Sequence, residues 1–135
     1  MKTSTRLIAA LAFVTLSAAA HAEWQEIDRF DDDTRIYVDR KTARRDGTMA
    51  EILHLVRWAE PQVDPGLPPY LSTVVRTAYD CTSKKERYLA STSYAGNLGN
   101  GATVVADEDA AEGWSSISED SMEEKIWRVA CGTTP

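Results

Sequence analysis

The sequence predicts an α+β domain: a single antiparallel sheet of about six strands, followed by a C-terminal helix that a disulfide tethers to the sheet. Three observations carry this. Short apolar runs, several of them alternating with polar residues and separated by turn-forming clusters, occupy residues 24 to 106. After Ser121 the period becomes helical, with Met122, Ile126, Val129 and Ala130 at i, i+4, i+7 and i+8. The only two cysteines, Cys81 and Cys131, end a long strand and the helix.

Residues 1–22 read as a signal peptide. Lys2 and Arg6 form a basic start, Leu7 to Leu16 an apolar stretch about half the length needed to span a bilayer, and Ala20 and Ala22 a small-residue cleavage signal before Glu23. The mature chain, residues 23–135, has 113 residues, which suits one domain. Export favours oxidation of Cys81 and Cys131, and with two cysteines the pairing is forced.

The first strand is expected at Trp24-Gln25-Glu26-Ile27, before an acidic turn at Asp31-Asp32-Asp33, and the second at Arg35 to Asp39. Arg40 to Arg45 fits a hairpin or short helical turn, and Asp46-Gly47 reverses the chain. Met49 to Trp58 carries Ile52 and Val56 on one face and Leu53 and Leu55 on the other, so both faces want cover. A surface loop with four prolines from Pro61 to Pro69 follows. From Tyr70 to Cys81, residues Leu71, Thr73, Val75, Thr77, Tyr79 and Cys81 share one face. Arg87 to Tyr94 and Ala102 to Ala106 complete the sheet around a flexible Gly96–Gly101 hairpin. Ser121 with Glu124 starts the helix as a capping box and Gly132 stops it. One helix hides one face of the sheet, so a homodimer is expected to bury the other.

Charge and motifs exclude more than they select. Losing Lys2 and Arg6 takes the formal charge from -6 to -8, which repels nucleic acid. His54 is the one histidine of the mature chain. It reads as a structural residue, with axial haem ligation as the sharper alternative, although no Cys-x-x-Cys-His motif is present. Protein zinc sites need three or four ligands, and both cysteines are committed to each other. Asp31–Asp33 and Asp107-Glu108-Asp109 lack the spacing of a calcium loop. No nucleophile elbow exists, and nothing selects a carboxylate pair among 21 acids. No catalytic, metal or cofactor residue is therefore assigned. The four tryptophans read mostly as core, with Trp127 at the edge of the helix stripe or in an interface. The proline loop and Arg40–Arg45 are the best surface candidates for a partner, though ordinary solvated turns account for both.

Trp24, Ile36-Tyr37-Val38-Asp39, Tyr70-Leu71-Ser72, Tyr79-Asp80-Cys81, Trp114 with Ile117 and Ser121, and Val129-Ala130-Cys131 together form a pattern. It resembles the surface-adhesin protein E family of Gram-negative bacteria over nearly the whole of 23–135. The resemblance implies a bent sheet of about six strands, a helix tethered to its concave face, dimerisation and no enzyme activity. Studied relatives are lipid-anchored outer-membrane adhesins that bind host matrix proteins such as vitronectin and laminin, plasminogen, and haemin. This sequence departs from them, because no lipidation cysteine follows the cleavage site. Only Cys81 and Cys131 transfer residue by residue, and ligand-binding residues stay unassigned.

Two readings follow. One is an exported binding domain for a host matrix protein or another envelope ligand. The other is a soluble periplasmic structural or accessory protein. A hydrolase using paired carboxylates ranks last. The expected location is periplasmic or secreted, with no membrane span.

Overall fold

The computed structural model describes residues 22–132, so the expected signal peptide lies outside the described residues except for Ala22. Strands β1 (Gln25–Arg29), β2 (Arg35–Asp46), β3 (Met49–Gln62), β4 (Tyr70–Asp80), β5 (Lys85–Tyr94) and β6 (Thr103–Asp107) lie side by side in chain order. Each is antiparallel to its neighbour, as connections too short for a crossover require. A two-residue strand, β7 (Ser115–Ser116), pairs with the start of β5, and helix α1 (Met122–Ala130) follows.

Several strands run further than the sequence suggested, β2 and β3 most of all, and β7 was not expected. Strand β2 does not stop at Asp39 but continues to Asp46 through a bulge opposite Leu53 and Glu51. Side chains there replace ladder partners. The Thr42 hydroxyl accepts the Leu53 N–H at 3.0 Å and donates to the Asp39 carbonyl at 2.7 Å, while the Asp39 carboxylate accepts the Lys41 N–H at 3.0 Å. Strand β3 runs past Pro61 to Gln62, where the register to β4 is already broken and a missing N–H costs no ladder bond. The Asp46-Gly47 reversal falls where expected, with Gly47 at φ +59°.

Register sets the faces. Ala50, Ile52, His54 and Val56 of β3 pair with Tyr79, Thr77, Val75 and Thr73 of β4, so these eight share one side of the sheet. Helix α1 brings Ile126 and Ala130 onto that side, and they form one core with Ile36, Val38, Ala50, Ile52, Tyr79 and Ile117. Ser121 caps the helix by accepting the Glu124 N–H at 3.1 Å, and Gly132 follows it at φ +68°.

The Cys81–Cys131 disulfide joins the helix end to the end of β4, with Cα atoms 5.6 Å apart. Polar contacts reinforce it. The Trp127 indole donates to the Asp80 carbonyl at 3.1 Å, the Arg45 guanidinium donates to the Cys131 carbonyl, and Lys84 pairs with Glu124 while lying over the Trp127 ring. Trp127 is thus at the stripe's edge. None of the four tryptophans is fully buried, and Trp114 is exposed, because aliphatic residues and Tyr79 already fill the space under α1.

The opposite face is partly covered by the chain itself. Residues Gly96–Gly101 are not a free hairpin: they fold into a single turn, Asn97–Gly99, over Leu55 and Val74. The buried Ser72 hydroxyl fastens it, donating to the Gly96 carbonyl at 2.7 Å and accepting the Gly99 N–H at 2.9 Å. A Cβ at Gly96 would stand 2.7 Å from the Asn100 carbonyl oxygen, so glycine is required there. Leu55 is therefore wholly buried within one chain.

Candidate functional site

A nine-residue helix is about 14 Å long and about 10 Å wide. Six strands at about 4.8 Å spacing span about 24 Å. Helix α1 packs mainly over β1, β2 and β3 and reaches β4 at Tyr79 and Asp80, and it does not extend over the β5–β6 end of the same face.

The rows crossing the sheet record this change. One row runs Ile36, Val56, Thr73, Ser93 and Val105, and the next runs Val38, His54, Val75, Ser91 and Asp107. Both begin aliphatic under the helix and turn to hydroxyls beyond it. The Thr73 and Ser93 hydroxyls lie 3.0 Å apart, and the Trp58 indole donates to Thr73 at 3.2 Å. The Tyr88 hydroxyl lies 2.8 Å from Ser91 Oγ and donates to Asp107 at 2.8 Å. This hydroxyl-rich half-face offers fixed donors and acceptors beside the half-buried Trp58 and Val75.

His54 stands at the boundary. It is 7% exposed, its imidazole makes no hydrogen bond to a described residue, and burial pushes its pKa down to about 4. It is therefore neutral in ordinary buffer. Beside it lies a cavity of about 180 Å³ between sheet and helix, lined by His54, Tyr79, Glu86, Tyr88, Glu123 and Ile126 among others. Burial, and then the charge of Glu123, raise the Glu86 carboxyl above its ordinary range. Glu124, one residue on, is held down to about 2 by Lys84 and Arg128.

The residues singled out in the sequence are mostly used inside the fold. In the basic segment Arg45 caps the helix end, Lys41 pairs with Glu23, and Arg40 donates to Gln25 at 2.7 Å. Asp33 binds Arg35 within the acidic turn, and Asp107 accepts the Asp109 N–H and the Tyr88 hydroxyl. The proline loop presents Val63, 73% exposed, directly after the end of β3. Glu86, Tyr88 and Glu123 had no signal in the sequence, since strand and helix meet only through the fold. Among the described residues no cluster of three or more His, Cys, Asp or Glu could hold a metal ion, and no helix is long and apolar enough to cross a membrane.

The sequence profile of the surface-adhesin protein E family matches residues 24–132. Among curated protein sequences no match is found. Among solved structures, crystal form II of Haemophilus influenzae protein E is similar at a TM-score of 0.63 and 13% identity, covering 79% of this chain and 87% of that one. Its selenomethionine form gives 0.62 and 12%, covering 80% and 86%. Protein E from non-typeable Haemophilus influenzae gives 0.59 and 14%, covering 79% and 75%. At these identities the likeness establishes the fold.

Proposed function

Since this chain belongs to the surface-adhesin protein E family, we propose that it is an exported, non-enzymatic binding domain that recognises a protein partner at the cell envelope or a host matrix protein. The family match across 24–132 carries the reading. The part of the face beyond the helix, on β3–β5, supplies the contact surface, with the half-buried Trp58, Val75, Tyr88 and Ser91 as its centre, since aromatic and hydroxyl groups suit protein interfaces. Residues 1–22 direct export and are removed after Ala22, and the mature chain is free in the periplasm or secreted.

Protease treatment of intact cells, with a periplasmic protein as control, tests the location. Digestion from outside supports adhesion and makes binding of the mature chain to immobilised matrix proteins the next assay. Protection until the outer membrane is broken overturns adhesion in favour of a periplasmic accessory role, which the absence of a lipidation cysteine after Ala22 favours. Self-association is proposed through the opposite face, where Trp24, Leu53, Val74, Tyr94 and Leu98 line an open depression of about 470 Å³. Sedimentation velocity reads it directly.

A further inference from the structure

We propose that the cavity between α1 and strands β3–β5 binds a small organic cation of ammonium or guanidinium type, its charge held by Glu86 and Glu123 and its N–H groups met by His54. The proposal goes beyond the protein-partner reading and is tested separately from it.

Unbalanced charge is the first ground. Three acids come together near the start of α1, and they are treated differently. Glu124 is paired with Lys84 and Arg128. Glu86 and Glu123 line the cavity and have no cation or hydrogen-bond donor among the described residues. Two carboxylates repelling each other at the edge of a protein core are stabilised by whatever positive group enters between them.

The second ground is independent of the acids. The His54 imidazole, more than nine-tenths buried, lines the same cavity with no hydrogen-bond partner among the described residues. Buried polar groups ordinarily have one. A neutral imidazole offers one acceptor nitrogen, and an ammonium carries three donors, so the two are complementary.

Size and walls narrow the class. These groups do not converge tightly enough to hold a metal ion. The cavity of about 180 Å³ instead takes a body of several heavy atoms, with Tyr79, Tyr88 and Ile126 against its apolar part. Aromatic faces also attract cations. The same chemistry is offered by a free amine and by a Lys or Arg side chain of a partner.

The test is an NMR titration of the mature chain with three probes: n-butylammonium chloride, the uncharged 1-butanol, and a blocked Gly-Lys-Gly peptide. Saturable amide shifts at His54, Glu86, Tyr88 and Glu123 are expected with the ammonium and not with butanol. Tighter binding of the free amine assigns a small-molecule ligand, and tighter binding of the peptide assigns a partner's side chain. Glu86→Gln and Glu123→Gln should each weaken binding about fivefold, the upper range for a partly exposed ion pair. Glu123→Gln leaves the Ser121–Glu124 cap in place, so at least one variant keeps the fold intact. Absence of saturable shifts, equal shifts with butanol, or binding unchanged in a folded Glu123→Gln variant overturns the proposal.

Discussion

Strands β2 and β3 under the helix, and β4 and β5 beside it, present the same side of one sheet with different chemistry. Under α1 that side is Ile36, Val38, Ala50 and Ile52, each at most 2% exposed. Three strands further along the rows of Ile36 and Val38 stand Ser93 and Ser91. Both halves have ladder hydrogen bonds, so the difference follows the helix layer and not the backbone. What differs is what remains outside the ladder: burial against α1 selects groups with no hydrogen-bonding requirement, and the half beyond it keeps hydroxyls that satisfy one another even where, as at Ser93, they are buried. His54 and Glu86 sit where the two regimes meet, which is why their ionisation is disturbed.

Removing the clamp that holds the helix over one half tests the division most strongly. Cys81→Ser is expected to lower stability by about 2–5 kcal/mol, largely through the unfolded state, and to expose the β2–β3 aliphatic row when α1 loosens. Urea unfolding of variant and parent reads it. Coincident midpoints would mean that Arg45, Lys84 and Trp127 hold the helix without the bond.

His54 gives the next effect. Its folded pKa is depressed to about 4 from an ordinary 6.5, so the unfolded state binds its proton first as the pH falls. Stability is therefore full above about pH 6.5, falls as the pH drops towards 4, and loses nothing more from this group below that. The loss from a shift of this size is at most about 3 kcal/mol. His54→Leu should flatten the slope between pH 6.5 and 4.5. An unchanged slope would mean that His54 does not set the acid sensitivity in that window; Glu124 acts below it, its contribution being lost between its ordinary 4.5 and its folded value of about 2.

The features legible in the sequence are those set by local chemistry. The Ser121 cap on the Glu124 N–H, the spacing of Met122, Ile126 and Ala130, and the Asp46-Gly47 turn each depend on residues within eight positions, although the Glu124 carboxylate accepts the Asp120 N–H and does not complete the expected capping box. Strand alternation from Tyr70 to Cys81 identified the face that carries Tyr79. The sequence could not show which distant group completes a local requirement. Thr42 answers Leu53 across the bulge, Ser72 answers Gly99 across the sheet, and Arg45 answers Cys131 at a separation of 86 residues. The cavity is of the same kind, because Glu86 and Glu123 become neighbours only when the helix lies down.

The smallest expected effect locates the boundary most finely. Val38 and Val75 flank His54 in one row, one strand to either side. Val38 is wholly buried under the helix layer, whereas Val75 is half-buried at the start of the open half. Thr is nearly the shape of Val, so Val→Thr adds a hydroxyl with little change in volume. At Val38 that hydroxyl has nowhere to turn, and a loss of about 1–3 kcal/mol is expected. At Val75 solvent and the neighbouring hydroxyls of β5 satisfy it, and the change should stay within about 0.5 kcal/mol. Equal losses at the two positions would extend the covered region past β3 and close the half-face to which binding is assigned. A small loss at Val75 alone places the edge of the helix layer at His54, the residue that also lines the cavity.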